Sequence, residues 1–344
     1  MIQFQCDYNE GAHPRILQRL METNMEQTVG YGEDAYSAHA RELIKEACQT
    51  PDADVHFLVG GTQTNTTVIA HALLGYQGVL AADTGHINVH ETGAIENTGH
   101  KVLALPAVNG KLTAAQVKEA IEAHRTDSNF EHMVQPGMVY ISYPTELGTL
   151  YSHQELKDLY DVCRACQVPL FIDGARLGYG LCSPECDLTL PELAHLCDVF
   201  YIGGTKVGAL FGEAVVIMND LLKRNFRYSI KQHGGMLAKG RLLGLQFETL
   251  FTDHLYMDIA TNAIQQAMRI KKALIEKGIP FFMESNTNQQ FPIFTDEALE
   301  KLSKEFCFSF WEKIDKTHTA VRICTSWATT REHVDVFLAA IADL

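Results

Sequence analysis

The chain has 344 residues, of which 46% are hydrophobic and 20% charged, so it is an ordinary globular protein with room for a large domain and a smaller one. The net charge of −14 argues against nucleic acid or an anionic membrane as main partner, and no apolar run approaches the roughly 18 residues that span a bilayer. The N-terminus lacks the features of a signal peptide. Because no secretion signal is recognised, we expect the nine cysteines to be reduced thiols in a cytoplasm.

Short apolar runs alternate with amphipathic segments through the first two thirds of the chain. The runs predict strands over Val55–Val59, Val79–Ala82, Val102–Leu105, Met138–Ser142, Pro169–Asp173, Val199–Gly203 and Ala214–Met218. The amphipathic segments predict helices over Thr64–Leu74, Ala114–His124 and Gln154–Cys166. This alternation predicts an α/β fold with a mostly parallel seven-stranded sheet and helices on both faces.

The pattern changes after about Gly244. A long helix is predicted over Phe247–Lys277, where a Gly-Ile-Pro sequence would end it. Beyond it we expect strands and helices over Phe291–Phe294, Asp296–Glu305, Ala320–Thr325 and Arg331–Leu344. We therefore predict a large domain over residues 1–243 and a smaller C-terminal α+β domain over 244–344, with the N-terminal segment 1–15 packing on the small domain.

Ligands of open parallel sheets bind beyond the carboxyl ends of the strands. Residues 60–65 (GGTQTN) follow the first predicted strand of the sheet and lead into a helix. Glycine allows close backbone approach, and the free amides at a helix start attract phosphate. The alternative is a plain glycine turn in which Thr62 or Thr64 caps the helix.

An acid at the end of a buried strand is costly unless it is partnered, and Asp173 occupies such a position. A protonated pyridine nitrogen is one suitable partner, since the ion pair keeps the ring able to accept electrons. The alternatives are an ion pair with Arg176 and a turn cap.

Lys206 lies in a run of small residues, 203–208 (GGTKVG), directly after another strand. Desolvation there would lower its pKa and favour the amine that forms imines; the alternative is a surface lysine in a glycine turn. His86, after the second strand, is placed to stack on a flat cofactor ring, and its alternative is a loop histidine bonded to the backbone.

A phosphate loop, a histidine, an aspartate and a lysine in this order are the pattern of fold-type-I pyridoxal-phosphate (PLP) enzymes. The sequence resembles the threonine aldolase family of beta-eliminating lyases at residues 29–34 (VGYGED), 60–65, 86–94, 173–176, 204–206 and 320–327 (AVRICTSW). The resemblance covers nearly the whole chain. It implies the fold-type-I PLP-dependent transferase-like architecture, PLP as cofactor, and cleavage of L-threonine, L-allo-threonine or similar β-hydroxy amino acids to glycine and an aldehyde.

The resemblance also implies roles for single residues. Lys206 would form the Schiff base with the cofactor, Asp173 would bind the pyridine nitrogen, and His86 would stack on the ring. Further cofactor contacts are expected from Gly61, Thr62, Gln63, Arg176 and Thr205. Substrate contacts are expected from Arg176, Arg322, Tyr31 and Lys231, with Tyr31 reaching the site from the neighbouring subunit of a homodimer or homotetramer.

Two positions depart from the family pattern. Cys6 stands where many members carry a serine that helps bind the carboxylate. Glu146 stands where many carry a histidine that is a candidate for deprotonating the substrate hydroxyl. We expect Glu146 to act as that base, directly or through water.

Other functions stay open at this point. A PLP enzyme of this type could instead catalyse β-elimination or cysteine desulfuration, and a non-catalytic protein of the same fold is a further alternative. A zinc enzyme could use His86 and His90, which have helical i, i+4 spacing, or the cysteine pairs Cys163/Cys166 and Cys182/Cys186. We expect no metal, since the cysteines fit helix packing and loops better.

Overall fold

A computed structural model describes residues 1–344. The strands are β1 (Ile2–Gln3), β2 (Asp54–Leu58), β3 (Gln77–Ala82), β4 (Lys101–Leu105), β5 (Gln135–Ser142), β6 (Leu170–Asp173), β7 (Val199–Gly203), β8 (Glu213–Ile217), β9 (Phe281–Met283), β10 (Gln289–Thr295), β11 (Phe306–Cys307), β12 (Ser309–Lys313) and β13 (His318–Cys324).

The helices are α1 (Pro14–Glu22), α2 (Ala35–Cys48), α3 (Gly61–Ala72), α4 (His86–Val89), α5 (Ala114–Thr126), α6 (His153–Cys166), α7 (Leu177–Leu181), α8 (Leu190–His195), α9 (Asp220–Lys223), α10 (Phe226–Gln232), α11 (Arg241–Phe251), α12 (Leu255–Glu276), α13 (Asp296–Leu302) and α14 (Arg331–Ala342). None of them combines the length and the apolar character needed to cross a bilayer.

The large sheet has seven strands in the order β2-β8-β7-β6-β5-β3-β4. All neighbouring strands are parallel except β8, which pairs antiparallel with both β2 and β7. The prediction of a mostly parallel seven-stranded sheet in an α/β fold is therefore confirmed. Six strands end at one edge, and β8 begins there.

Helices cover both faces of this sheet, which explains the nearly continuous apolar runs of its strands. Neighbouring residues of a strand point to opposite faces. On β6, Ile172 packs into the larger apolar core and Phe171 into a second core across the sheet. The helix α6 begins with a capping box formed by Ser152 and Glu155, which satisfies its first free amides.

A second, four-stranded sheet in the order β12-β13-β10-β9 is antiparallel throughout. The N-terminal β1 pairs in parallel with β11, and Ile2 lies opposite Phe306. Phe4 then packs in the core of this part of the chain with Phe306 and Phe337. The division of the chain at residue 243 stays a prediction; α11, which begins just before it, packs against α2.

The prediction of one helix over Phe247–Lys277 is wrong at its start. The segment forms α11 and α12 with a short turn between them. Asp253 and His254 in this turn have φ values of 55° and 59°, in the left-handed region that an α-helix does not contain. Apolar residues recur at helical spacing on both sides of the turn, so hydrophobic periodicity alone does not reveal the break.

Candidate active site

A cavity of about 520 Å³ opens at the edge where the parallel strands of the large sheet end. It brings together nine of the residues predicted from the sequence: Gly61, Thr62, His86, Glu146, Asp173, Arg176, Thr205, Lys206 and Arg322. Three predicted residues, Gln63, Tyr31 and Lys231, do not line it. The cavity wall also includes residues that sequence reasoning did not select, among them Tyr8, Ser142, Glu213 and Trp311.

Asp173 is buried and its carboxylate is held on both oxygens. Oδ1 accepts hydrogen bonds from the hydroxyl of Tyr201 (2.5 Å) and the amide of Ala175 (3.0 Å). Oδ2 accepts from Tyr140 (2.6 Å) and from the side-chain amide of Asn65 (3.2 Å). Burial raises the pKa of Asp173, but the charge of His86 and these hydrogen bonds outweigh it, so the pKa lies below its ordinary value. The carboxylate is thus kept ionised without a salt bridge to Arg176.

Close packing of β6 against β7 sets Asp173 and Lys206 beside the same cavity. A Cβ atom on Gly174 would lie 1.9 Å from the carbonyl oxygen of Tyr201, so only glycine fits directly after Asp173. The Gly174 carbonyl accepts from the Gly203 amide at 2.9 Å, which joins the ends of the two strands.

Lys206 is half-buried at the cavity wall, and its Nζ makes no hydrogen bond or ion pair within the chain. Its carbonyl oxygen accepts a 2.6 Å hydrogen bond from Tyr179, which fixes the backbone. Burial and the charge of Arg176 lower the pKa of Lys206, against the opposing effect of Asp7 and Asp173. The lysine is therefore an unpartnered amine that faces open space, and it is not the surface lysine of the alternative reading.

His86 is oriented by a buried acid. Its Nδ1 lies 2.7 Å from Oε1 of Glu91, which also accepts a 2.7 Å hydrogen bond from Asn65. Burial lowers the pKa of His86, but the hydrogen bond to Glu91 and the charge of Asp173 outweigh it and raise the pKa above its ordinary value. A continuous hydrogen-bonded chain thus runs from His86 through Glu91 and Asn65 to Asp173.

Glu146 lies at the same cavity, close to the start of α4. Its Oε1 accepts hydrogen bonds from the hydroxyl of Ser142 (2.7 Å) and from the backbone amide of His86 (2.8 Å). Burial raises the pKa of Glu146, although both hydrogen bonds act in the opposite direction. A carboxyl with a raised pKa beside a substrate cavity is suited to proton transfer near neutral pH.

Two arginines enter the cavity from different parts of the fold. Arg176 forms a two-pronged ion pair with the fully buried Asp7, through Nε (2.6 Å) and Nη2 (3.0 Å). Asn288 donates a further hydrogen bond to Asp7 at 2.8 Å. Arg322, on β13, donates to Gln289 and to the carbonyl of Gln5, and its buried Nε has no partner in the chain. Both guanidinium groups are thus aimed and held before any ligand arrives.

The helix α3, 12 residues long, presents its first two residues, Gly61 and Thr62, to the cavity. Gln63 was predicted to contact the cofactor, but its side chain does not line the cavity. Its side chain accepts from the Val59 amide (3.0 Å) and donates to the His233 carbonyl (3.0 Å), so it holds the loop between β2 and α3 in shape.

Tyr31 and Lys231 lie together away from the cavity wall, with Nζ of Lys231 5.0 Å from the centre of the Tyr31 ring. Tyr31 is 47% exposed and has a φ of 62°. Neither residue lines the cavity of its own chain.

The histidines and cysteines that a zinc enzyme could use have other contacts in the structure. Cys163 and Cys166 are buried in the apolar core, and Cys186 lies 3.2 Å from the hydroxyl of Tyr143. Nδ1 of His86 is engaged by Glu91. No group of three or more His, Cys, Asp and Glu side chains is placed to hold a metal ion.

Comparison with known proteins identifies the class of enzyme to which this site belongs. Residues 4–297 match the family model described as beta-eliminating lyase. The chain superposes on a Leishmania major threonine aldolase with a TM-score of 0.97 and 44% identity over 100% of this chain and 99% of that one. An aspartate aminotransferase from Thermus thermophilus shares the fold, with a TM-score of 0.72 at 13% identity, 100% of this chain and 91% of that one being covered.

Curated relatives agree with this result. Low specificity L-threonine aldolases from Pseudomonas aeruginosa and another Pseudomonas strain are 28% and 29% identical over 96% and 98% of this chain and over 94% and 96% of their own lengths. The chain belongs to the threonine aldolase family of beta-eliminating lyases, as its motifs predict. It is a PLP-dependent carbon–carbon lyase with the fold-type-I architecture.

The residues at the cavity fit this cofactor. A buried, ionised Asp173 suits a protonated ring nitrogen, the start of α3 suits a phosphate, and the unpartnered amine of Lys206 suits an imine with the aldehyde. His86 lies on the same wall, where it is expected to face the ring.

Proposed function

We propose that this chain cleaves L-threonine, L-allo-threonine or similar β-hydroxy amino acids to glycine and an aldehyde. The observation that carries the proposal is the convergence of Lys206, Asp173, the two arginines and Glu146 on one cavity. Threonine aldolase is also the name of its relatives from Pseudomonas and Leishmania.

The arginines bind and orient the substrate carboxylate. Asp7 occupies Nε and Nη2 of Arg176 and leaves the third nitrogen, Nη1, without a partner in the chain. Arg322 offers its unpartnered Nε. Planar guanidinium groups suit carboxylates because two donors can meet two oxygens. Holding the carboxylate limits the orientations that the substrate can take in the cavity.

Glu146 accepts the proton of the β-hydroxyl at its carboxylate, directly or through a water molecule. Ser142 and the amide of His86 hold the side chain on one oxygen, Oε1, so that the other oxygen is free for the substrate. When bound, PLP supplies an electron sink for the bonding pair that is released from the Cα–Cβ bond. Asp173 would hold the ring nitrogen by its negative charge, and Lys206 would bind the aldehyde of the cofactor.

The test uses Lys206→Ala and, as a control, Lys157→Ala at an exposed lysine of α6. Lys206→Ala should lose the visible absorbance of the bound cofactor and nearly all turnover of threonine, while Lys157→Ala keeps both. Product analysis must show glycine and acetaldehyde in equal amounts. An oxo acid with ammonia would establish β-elimination in place of aldol cleavage, and wild-type turnover in Lys206→Ala would overturn the role of the lysine.

We further propose a homodimer or homotetramer with shared sites, working in the cytoplasm. Tyr31 and Lys231 form an exposed pair outside their own cavity, as expected if they serve the cavity of a second copy. All nine cysteines are free, which agrees with a reducing compartment.

A further inference from the structure

Glu213 is a buried acid at the cavity that the proposed mechanism does not use. It is the first residue of β8. Because β8 runs antiparallel to its neighbours, this residue lies at the edge of the sheet where the neighbouring strands end. Glu213 lies opposite Gly203, the last residue of β7, is 3% exposed and lines the cavity. Such a side chain needs partners that compensate for its burial.

The partners of Glu213 belong to the turn that carries Lys206. Oε2 accepts a 3.0 Å hydrogen bond from the amide of Gly204, and Oε1 accepts a 2.8 Å hydrogen bond from the hydroxyl of Thr205. The amide of Gly212 donates to the same hydroxyl at 3.0 Å. One carboxylate thus fixes the two residues immediately before the lysine.

The contacts accommodate both protonation states of the acid. When Glu213 is ionised, Thr205 donates to it. When Glu213 carries a proton, the hydroxyl of Thr205 can rotate to the carbonyl oxygen of Gly212, 3.5 Å away, and accept from the acid instead. Burial raises the pKa of Glu213 to about 8, against the hydrogen bonds of Thr205 and Gly204 and the charge of Lys206. The acid is therefore mostly neutral below about pH 8 and gains its negative charge as the pH rises through that value.

The ionisable groups that face Glu213 include one cation. Lys206 stabilises the charged form of Glu213, while the carboxylate of Asp173 disfavours it. Tyr201 and Tyr256 also face the acid, and the hydroxyl of Tyr256 is committed to the carbonyl of Gly203 at 3.0 Å. By the same interaction Glu213 stabilises the protonated form of Lys206.

We propose that Glu213 is a positioning residue for Lys206, which holds the turn that carries the lysine and, when ionised, places a negative charge that favours the protonated lysine nitrogen. The inference rests on the proposed role of Lys206 and deepens it. The lysine then meets the cofactor in one orientation, and its nitrogen loses its proton at a pH that Glu213 helps to set.

The test is a pH titration of the visible absorbance of the cofactor-loaded protein. Glu213→Gln keeps the shape of the side chain, since its carbonyl can accept from Gly204 and its amide can donate to Thr205, but it removes the charge. Its titration midpoint should fall by up to about one pH unit, because the variant lacks the ionised acid that favours the protonated nitrogen as the pH rises through about 8. Its cofactor dissociation constant should stay within about threefold of wild type, since every hydrogen bond is retained.

Glu213→Ala removes the hydrogen bonds as well and should weaken cofactor binding by about tenfold or more. The matched control is Asp198→Asn, a buried acid just before β7, at the far end of the strand that Glu213 flanks. It should leave the titration unchanged.

Each outcome separates the parts of the proposal. A wild-type midpoint in Glu213→Gln, or an equal shift in Asp198→Asn, would overturn the electrostatic role. Wild-type cofactor affinity in Glu213→Ala would overturn the positioning role. Lys206→Ala should show no titrating band; if it kept the native titration, the assignment of Lys206 itself would fail.

Discussion

Replacing Asp7 with asparagine tests whether the ion pair with Arg176 builds the carboxylate-binding part of the site. Asp7 is fully buried, and Arg176 is 13% exposed at its side chain, so solvent screens the pair very little. Burial raises the pKa of Asp7, but the charges of Arg176 and Lys206 outweigh it and lower the pKa from 3.8 to about 2. This shift corresponds to about 2 kcal/mol of stability at neutral pH.

Because the pKa of Asp7 is lower in the folded protein, its contribution is complete above about pH 4 and is lost as the pH falls toward about 2. Asp7→Asn should therefore reduce the free energy of unfolding at pH 7 by about 2 kcal/mol, or more because Arg176 keeps a buried charge without its partner. The difference from wild type should shrink as the pH is lowered below 4. Urea unfolding of the cofactor-loaded proteins at several pH values measures both quantities.

The same variant should raise the KM for threonine by about tenfold or more, because Arg176 is no longer aimed at the carboxylate. Asp161→Asn is the control: Asp161 forms an exposed pair with Lys157 within one helix, worth at most about 0.5 kcal/mol. If Asp7→Asn lost no more stability than this control and kept a wild-type KM, the reasoning from the buried ion pair would be refuted.

Two further variants test the acid–base groups. Glu146→Gln should lower kcat by about a hundredfold or more. In the wild type, turnover should fall as the pH drops through the raised pKa of Glu146, because the carboxylate takes up a proton. The pH–rate profile of the variant should lack this acid limb, and a limb that persists would belong to another group. Glu91→Gln removes the partner that raises the pKa of His86, so the imidazole should lose its proton at a lower pH in an NMR titration, and an unchanged midpoint would contradict the role of the pair.

The sequence predicted much of the site because its signals are local. Asp173 and Lys206 each follow a buried strand directly, and parallel strands bring such positions to one edge. Glycine next to them marks the places where backbones approach closely, as Gly174 does against Tyr201. Asp173 and Lys206 could therefore be predicted from their residue types and from their positions at the ends of predicted strands.

The residues that were missed depend on tertiary contacts. An apolar run has no direction, so nothing in the sequence of β8 shows that it is reversed and that Glu213 at its beginning joins the strand ends of its neighbours. Asp7 follows a two-residue strand and finds Arg176 only after the N-terminal segment has crossed the fold. Glu91 follows His90 directly in the sequence, but its contacts with His86 and Asn65 depend on its burial in the folded chain.

The pairing of β1 with β11 has a consequence for the order in which the enzyme is made. During synthesis the large sheet and Lys206 emerge from the ribosome well before Phe306, the residue that pairs with Ile2. Domains generally fold as units from the N-terminal side, so the pairing that anchors the first residues of the chain forms late. Arg322 on β13 and Asn288, which contacts Asp7, also come late in the chain, so the two arginines reach their final arrangement only when the C-terminal strands have folded.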